Sequence, residues 1–488
     1  MKKKKVSLII GGQWGDEGKG KIIDVLADEA DVIARTVGGN NAGHTVVIGS
    51  KKYVLHLVPS GIIRPHTMNV IGNGVVVDPR GLCKELEGLR KVGVDYSNRL
   101  KIALNAKLTL PEHFLVEALR ESGRGAVGST MRGISPTYTD HVGRVGLIVN
   151  DMLNPALFAE LLERNLEEKR WMLEHFGRRY VRKVMRGSAS LEHGRFYSPD
   201  GFFNVREIVR AYREYARELA PFIDDTDAFV QQRLGRSVML IESAQGTFIS
   251  IDHGTYPNVT SSDTTRQGTM KGAGLRDSDA DAVYVVMKVP YETRVGKGAF
   301  PTEMGGKRME EWCERRTPCD QEPLWESPDI NSRNELEQGI AVLKGGREFG
   351  STTGRRRRCG WYDAVLGRKA IQINGGKLIL TKLDVMSGCK RLKICTHYIY
   401  EGPTMHWGQE VFRKGDRIDE AIARDSVLRH CNPQYVEVAG WSADLSKLWR
   451  WNQLPARCKA YVEKVAELTG AKLSAISVGP DRDATIWL

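Results

Sequence analysis

Short apolar runs alternate with stretches of helical spacing along this chain. Residues 6–10, 32–36 and 282–289 are apolar at most consecutive positions, which is typical of strands buried on both faces of a parallel sheet. Similar runs recur at 53–58, 69–77, 101–105, 237–241, 377–383, 392–400 and 475–478. Because strands and helical patterns alternate, the sequence predicts an α/β fold around one large, mostly parallel central sheet.

Helices are predicted between these runs. Apolar residues between 157 and 166, and again between 208 and 219, fall on one helical face. Pro111 suits the first position of a helix that continues through Glu121. Gly470 suits the C-cap of a last helix from about residue 455, and a further helix is expected to begin near Asp24.

The chain shows no internal repeat and no linker that would divide it, so we expect one domain over residues 1–488. Residues 151–235 are helix-rich and charged, and we expect them to form a helical insertion in that domain. Residues 305–345 carry Pro, Asp, Glu and Ser with little periodicity, which predicts a surface insertion.

The composition excludes several classes of protein. The chain is 41% hydrophobic, but no stretch approaches the roughly 18 apolar residues of a membrane span. The apolar run after the N-terminal lysines is too short for a signal peptide. Eight cysteines without a CxxC pair indicate reduced thiols, and therefore a cytoplasmic protein.

The net charge of +12 is concentrated in the lysine tail and in the arginines at 355–358. A nucleic-acid-binding protein would instead spread basic stripes interleaved with aromatic residues. Closely spaced guanidinium groups suit the phosphates or carboxylates of small molecules. We therefore expect polyanionic small substrates, and neither nucleic acid nor a membrane as a partner.

Residues 11–21, GGQWGDEGKGK, carry the strongest chemical signal. They follow the first predicted strand, and their small residues let backbone N–H groups approach an anion at a helix N-terminus. The spacing differs from the standard P-loop, since Lys19 is followed by glycine rather than by serine or threonine. Asp16 and Glu17 lie inside the loop. A carboxylate among phosphate-binding groups is expected to hold a metal ion or to move a proton.

Other polar, glycine-rich segments follow predicted strands. Residues 38–45, GGNNAGHT, contain His44, which with the loop carboxylate would form an acid–base pair around a phosphate. Residues 350–361, GSTTGRRRRCGW, combine hydroxyls with forked guanidiniums that suit a carboxylate or phosphate. The TKLD run at 381–384 resembles the guanine-reading signature of GTP-binding proteins, and SVGP at 477–480 is a candidate to complete a base pocket.

In chain order, these motifs resemble the adenylosuccinate synthetase family, whose members join IMP and aspartate at the expense of GTP. The matching segments run from Gly12 to Arg482 and span nearly the whole chain. They are QWGDEGKGKI, GGNNAGHTV, LVPSGI, IGNGVVVDP, SIDHGTYP, VTSS, TRVGKGAFPTE, REFGSTTGRRRRCGWYD, LTKLDV and GPDR. The resemblance implies a P-loop-NTPase-like α/β fold and a cytoplasmic homodimer that binds one Mg²⁺ per subunit and GTP as co-substrate. It also implies a ligase of purine biosynthesis that forms a C–N bond through a 6-phosphoryl intermediate.

The same resemblance implies roles for particular residues. Asp16 would be the catalytic base and a Mg²⁺ ligand, His44 the acid, and Gly43 a second Mg²⁺ ligand through its carbonyl. The remaining catalytic residues would be Lys19 and Gln245. The purine monophosphate would bind to Asn41, Thr130, Gln245, Thr260 and Arg355, and to Arg144 from the partner of a homodimer. Aspartate would bind to Val295, Thr352, Thr353 and Arg355. GTP would bind to Gly15, Gly18, Lys19, Gly20, Gly43, His44, Thr45, Arg357, Lys382, Asp384, Ser477 and Gly479.

Several positions depart from the family pattern, and we expect them to cluster around the purine monophosphate, which keeps a second substrate open. Ser243 stands where glycine is usual, Ser250 where aspartate is usual and Asp263 where asparagine is usual. Some phage-borne relatives use GMP or dGMP to make a 2-amino product, and in many of them serine replaces the loop aspartate. The retained Asp16 therefore favours IMP. A catalytically silent nucleotide-binding paralogue is the alternative from another class, and the complete set of predicted catalytic residues counts against it.

Overall fold

A ten-stranded sheet runs through the centre of the computed structural model, which describes residues 5–41, 43–48, 51–123, 126–187, 194–198, 202–350 and 354–488. In chain order its strands are β1 (Val6–Gly11), β2 (Val32–Arg35), β3 (Met68–Ile71), β4 (Leu100–Ala103), β5 (Ile223–Asp224), β6 (Met239–Glu242), β7 (Ala282–Lys288), β8 (Lys377–Thr381), β9 (Leu473–Ser477) and β10 (Thr485–Trp487). Their order across the sheet is β10-β9-β8-β7-β1-β6-β2-β3-β4-β5. All neighbours pair in parallel except β9 and β10. The predicted α/β fold with a mostly parallel central sheet is confirmed.

Both faces of the sheet are buried. Side chains of a strand alternate in direction, and in β1 Leu8 and Ile10 pack in one hydrophobic cluster while Ile9 packs in another. The helices are α1 (Lys19–Leu26), α2 (Pro79–Lys91), α3 (Pro111–Glu121), α4 (Ile134–Val142), α5 (Pro155–Phe176), α6 (Arg178–Gly187), α7 (Val205–Leu219), α8 (Thr226–Arg233), α9 (Arg266–Gly272), α10 (Lys307–Glu314), α11 (Glu335–Gly346), α12 (Ala364–Asn374), α13 (Asp425–Leu428) and α14 (Ala456–Thr469). Among the described residues, no helix is long and apolar enough to cross a membrane.

A smaller sheet places the arginine run beside the central sheet. Tyr291–Arg294, just after β7, pairs antiparallel with Arg358–Asp363, which pairs in parallel with Arg391–Tyr400. The last strand also pairs with Arg417–Ile418 and Cys431–Ala439. Separate two-stranded ladders join His44–Ile48 to Lys51–Leu55, Val76–Val77 to Lys107–Leu108, and Met405–Trp407 to Glu410–Phe412. Because Tyr291–Arg294 follows β7 so closely, the arginine run lies near the carboxyl end of the central strands.

Helix α1 begins at Lys19 rather than near Asp24, where the sequence predicted its start. The reason is Gly18, whose φ of 90° turns the chain from the loop into the helix, a conformation that favours glycine. Lys19 therefore lies in the first helical turn, where backbone N–H groups have no partner within the helix and can bind an anion. The predicted start of α3 at Pro111 and the cap of α14 at Gly470 are confirmed.

The two segments expected as insertions differ in how they are packed. Helices α5 to α8 lie within 151–235, and α5 and α7 pack against each other. In the segment 305–345, by contrast, Met309, Trp312 and Leu343 are buried in the main hydrophobic core. That part does not lie on the surface as the sequence suggested. Its apolar residues are too widely spread among polar ones to show a period.

Candidate active site

Loops at the carboxyl ends of the central strands surround a cleft of about 1460 Å³. Open α/β sheets bind ligands at this edge, because the loops there converge. The predicted site residues that line the cleft are Gly15, Asp16, Gly18, Lys19, Gly20, Asn41, Gly43, Thr130, Gln245, Val295, Arg355, Arg357, Lys382 and Asp384. Motifs far apart in the sequence thus share one cavity.

Some predicted residues are not among those that line the cleft. Arg144 is exposed and has a left-handed φ of 64°. The Thr260 N–H donates to the carbonyl of Ile249, a residue of the cleft wall, at 2.8 Å. Ser477 and Gly479 bond to Lys21, which does line the cleft. The rest fall where the structure describes no residue (Thr352 and Thr353) or no side chain (His44 and Thr45).

Glu17 braces the phosphate loop from inside. One of its oxygens accepts the backbone N–H groups of Gln13 at 3.1 Å and Gly15 at 2.9 Å. The other accepts from the Lys19 ammonium at 2.7 Å, and the carboxylate is fully buried. The two loop carboxylates look equivalent in the sequence, whereas in the structure Glu17 holds the loop and Asp16 is left to face the cleft.

The Asp16 carboxylate is paired with Arg357. Its side chain is 33% exposed, and its Oδ2 accepts from Arg357 Nε at 2.6 Å. Burial on its own would raise the pKa of Asp16, but the charges of Arg357 and Lys288 outweigh burial and lower it below its usual value. Asp16 is therefore ionised at neutral pH. An ionised carboxylate beside phosphate-binding groups can accept a proton or hold a cation.

The four arginines at 355–358 all line the cleft, but they alternate in burial. Arg355 is exposed at the cleft, and Arg357 pairs with Asp16. The guanidinium of Arg356 lies 4.0 Å from the centre of the Trp312 ring. Arg358 makes a bidentate pair with Glu303 at 2.6 and 2.7 Å. Because side chains alternate along an extended segment, Arg355 and Arg357 are the more accessible pair, whereas the guanidinium groups of Arg356 and Arg358 are engaged by protein groups.

Lys21 was not predicted as a site residue, yet it ties α1 to the loop expected to bind the base. Its ammonium donates to Ser477 Oγ at 2.6 Å and to the carbonyls of Gly479 at 2.7 Å and Ala484 at 3.0 Å. Burial lowers the pKa of Lys21 to about 8. The available signal was its place in the same GKGK run as Lys19, two positions further on and so on another side of the helix.

The guanine-type motif follows β8. Lys382 has a left-handed φ of 68° and opens a short 3₁₀ helix, Leu383–Met386, that carries Asp384 into the cleft. Burial raises the pKa of Asp384, and the nearby lysines offset this only in part. When ionised, this carboxylate can accept the N1–H and N2–H of guanine together.

The departures from the family pattern do not line the cleft. Ser243 is buried, where its hydroxyl donates to the Thr264 carbonyl at 3.1 Å and accepts from Thr269 Oγ1 at 3.0 Å. The buried Ser250 donates from Oγ to Asp263 Oδ1 at 3.0 Å. The sequence placed these changes at the purine site, whereas the structure places their side chains in packing contacts behind the cleft wall.

The fold and the cleft define a nucleotide-dependent α/β enzyme with a P-loop-like phosphate site. The sequence model described as adenylosuccinate synthetase matches residues 8–486. Proteins named adenylosuccinate synthetase from Pelotomaculum thermopropionicum and Frankia alni are each 40% identical over 484 residues, with 98% of this chain and 98% of each relative covered. The chain belongs to the adenylosuccinate synthetase family. The predicted activity is confirmed with it: a ligase of purine biosynthesis that forms a C–N bond by joining aspartate to IMP with GTP.

The solved structures that are similar to this one include the following two. The fully ligated adenylosuccinate synthetase of Plasmodium falciparum aligns with a TM-score of 0.79 and 28% identity, covering 99% of this chain and 100% of that one. The succinoaminodeoxyadenylate synthetase of cyanophage S-2L, solved with dGMP and dATP, aligns with a TM-score of 0.55 and 18% identity, covering 99% and 95%. At 18% identity, the phage protein shows a shared fold and no more.

The division of labour between the two loop carboxylates can be tested by matched amide substitutions. Glu17→Gln should lower the free energy of unfolding by about 3 kcal/mol, because it leaves a buried ammonium without its counter-charge. Asp16→Asn should lower it by less than about 1 kcal/mol, since that ion pair is partly exposed, but it should abolish turnover because an amide cannot act as the base that the sequence predicts at this position. Chemical denaturation and phosphate release measure the two effects. Equal destabilisation by both variants would contradict this division.

Proposed function

We propose that this reaction takes place in the cleft, with Asp16 as the base. What carries the proposal is the Asp16 carboxylate, which Arg357 keeps ionised in the same cleft that the guanine-type motif lines. Asp16 accepts the N1 proton of the purine, so that O6 becomes nucleophilic towards the γ-phosphorus of GTP. The O6–P bond forms as the bond to the β–γ bridging oxygen breaks, and GDP leaves. The aspartate amine then attacks C6, and phosphate departs with the O6 oxygen.

The order of the two steps follows from the poor leaving-group ability of the C6 oxygen. An oxygen at C6 leaves poorly until it is phosphorylated, which is why the nucleoside triphosphate is needed. His44 is the proposed acid that assists phosphoryl transfer, and Lys19 contributes charge at the phosphates. Most of the remaining acceleration is expected from positioning and charge neutralisation.

Gln245 is the residue with the clearest support as a purine contact. Its backbone has a left-handed φ of 63°, a strained conformation that clusters at functional sites. Its Oε1 is buried and has no hydrogen-bond partner within the described part of the chain. A substrate N–H or hydroxyl at this oxygen would recover the free energy that an unpaired buried acceptor costs.

The remaining substrate contacts are proposed by position. Asn41, Thr130 and Arg355 line the cleft and would hold the purine monophosphate with Thr260. Aspartate is assigned to Val295, Thr352, Thr353 and Arg355. GTP is assigned to the phosphate loop (Gly15, Gly18, Lys19 and Gly20), to Gly43, His44, Thr45 and Arg357, and at its base to Lys382, Asp384, Ser477 and Gly479.

The donors at the cleft fit a Mg²⁺ ion. The Asp16 carboxylate is partly exposed there, and Gly43 lines the same cavity. Mg²⁺ takes oxygen ligands and is commonly held by one or two protein groups, with substrate phosphates and waters completing its coordination. When bound, it would neutralise charge that develops on the phosphoryl group. Asp16 and the Gly43 carbonyl are the proposed ligands.

The choice of IMP over GMP or dGMP follows from Asp16 and from the packing of the altered residues. Ser243 and Ser250 bond to neighbouring protein groups rather than lining the cleft. Within the part of the chain that the structure describes, neither serine makes a contact that would open space for a 2-amino group. The nucleotide alternatives and the silent paralogue are separated by the following experiment.

Turnover should require a 6-oxopurine monophosphate, aspartate, GTP and Mg²⁺ together. We expect phosphate release with IMP, and much slower release with GMP or dGMP, in parallel assays from which each component is omitted in turn. Asp16→Asn serves as the inactive control. A preference for dGMP would contradict the IMP assignment, and absence of turnover with all three nucleotides would leave the silent paralogue.

The Asp16–Arg357 pair predicts a change in pH dependence. Since Arg357 lowers the pKa of Asp16, Arg357→Gln should raise that pKa, and the base would then become protonated at a higher pH. The acid limb of kcat/KM, which reports the free enzyme, should move to higher pH. Arg355→Gln is the matched control: Arg355 lines the same cleft, but its charge is not among the main causes that lower the pKa of Asp16, so this variant should lower the rate without moving the limb. An unmoved limb in Arg357→Gln would refute the prediction.

A homodimer is proposed in which Arg144 reaches the partner's site. Arg144 is exposed, does not line the cleft of its own chain, and follows Val142, which is 80% exposed. Arg144→Leu should weaken IMP binding, and mixing it with Asp16→Asn should restore part of the activity, because mixed dimers would contain one intact site. Phosphate release before and after mixing measures this. Failure of complementation would count against a shared site.

A further inference from the structure

Glu348 lies between two lysines at the guanine end of the cleft. Its side chain is only 6% exposed. One oxygen accepts from the Lys288 ammonium at 2.8 Å. The other accepts from the Tyr291 hydroxyl at 2.6 Å and lies 3.3 Å from the Lys382 ammonium. One carboxylate thus contacts a buried cation and a residue of the guanine-type motif.

The Lys382 side chain is held mainly through its ammonium group. Besides Glu348, its ammonium donates to the Gly346 carbonyl at 3.0 Å, at the end of α11. The side chain is 33% exposed and lines the cleft. A lysine side chain has many rotamers, so these tip contacts select the position of the four-carbon stem beside the base pocket.

Lys288 connects the same carboxylate to the phosphate loop. The Gln13 side chain accepts the Lys288 N–H at 2.8 Å and donates to the Lys288 carbonyl at 3.0 Å. The Lys288 ammonium is 1% exposed. Burial on its own would raise the pKa of Glu348, but Lys288 and Lys382 outweigh burial and lower it, so the carboxylate stays ionised and keeps both contacts.

We propose that Glu348 is a positioning residue for guanine recognition, because it fixes the Lys382 side chain at the base pocket. Through Lys288 and Gln13, the same carboxylate also holds that pocket at a fixed position relative to the phosphate loop. The inference rests on the proposed binding of guanine by Lys382 and Asp384. If Glu348 were only a counter-charge for Lys288, its loss would affect stability without a selective effect on GTP.

The test is direct binding of GTP and of IMP, measured by titration calorimetry on the full chain. Glu348→Gln should raise the Kd for GTP about tenfold, as expected for the loss of one charged contact. The Kd for IMP should stay within about twofold, which is under half a kcal/mol. An unchanged Kd for GTP would overturn the proposal, and so would an equal rise for both ligands.

Tyr291→Phe is the matched control. It removes a neutral donor from the same carboxylate and leaves the contact with Lys382 in place. It should raise the Kd for GTP by less than about threefold. A tenfold rise in this variant would mean that the pocket responds to any loss of packing around the carboxylate, and would overturn a specific role for the Lys382 contact.

A double-mutant cycle shows whether Glu348 acts through Lys382. In a Lys382→Met background, Glu348→Gln should give no further rise in the Kd for GTP, whereas independent residues would give additive effects. Glu348→Asp is the second variant in case Glu348→Gln does not fold. It keeps the charge opposite Lys288 but draws the carboxylate back from Lys382, so the same selective rise is expected. Additivity, or equal rises for IMP and GTP in Glu348→Asp, would overturn the inference.

The binding readout also separates this inference from the proposed function. Wild-type protein that binds GTP without turning over IMP would refute the proposed reaction, yet the Glu348 variants would still decide the positioning role. Wild-type protein with full turnover and unaffected GTP binding in the variants would refute the positioning role alone.

Discussion

The hydrogen bonds that Glu17 makes inside the phosphate loop are the interaction on which the site depends. A buried carboxylate is tolerated only when its oxygens are satisfied, and here the two N–H groups and the ammonium of the loop itself do so. The phosphate loop therefore wraps around the Glu17 carboxylate and satisfies it with the loop's own donors. The chain after β6 packs so closely beneath it that a Cβ at Gly246 would lie 2.4 Å from the Gln13 carbonyl oxygen. These contacts turn Asp16 and the start of α1 towards the cleft.

Three cations at or behind the cleft are held by carboxylates of the protein. Arg357 pairs with Asp16, Lys288 with Glu348, and Lys19 with Glu17. A cleft that binds a nucleoside triphosphate and a monophosphate needs positive charge, and unpaired buried cations would destabilise the fold. Placing each cation against a carboxylate resolves the conflict. It also sets the protonation state of Asp16, because the same cations that suit phosphates keep this carboxylate ionised.

The sheet and the main binding loops could be predicted because their signals are local. Apolar runs identify β1, β2 and β7, and glycine-rich segments after them mark the binding edge. Lys21 could not be selected in the same way, since its role depends on Ser477 and Gly479, which lie far along the chain. The start of α1 was missed because a glycine-rich loop and a glycine-rich first helical turn have the same composition. The buried part of 305–345 was missed for want of periodicity, and the edge strand β5, two residues long, is too short to leave a pattern.

The altered residues near the purine site show how a sequence difference can leave a pocket intact. The family pattern has aspartate at 250 and asparagine at 263, whereas this chain has Ser250 and Asp263, and the two contact each other. The usual pair likewise consists of one carboxylate and one side chain able to donate a hydrogen bond, with the carboxylate at the other position. Asp263 Oδ1 also accepts the Thr265 N–H at 2.9 Å, so the relocated charge is satisfied. The two altered residues therefore satisfy each other behind the cleft wall. The two changes therefore give no reason to expect a purine other than IMP, and Asp16, the loop carboxylate that faces the cleft, is retained.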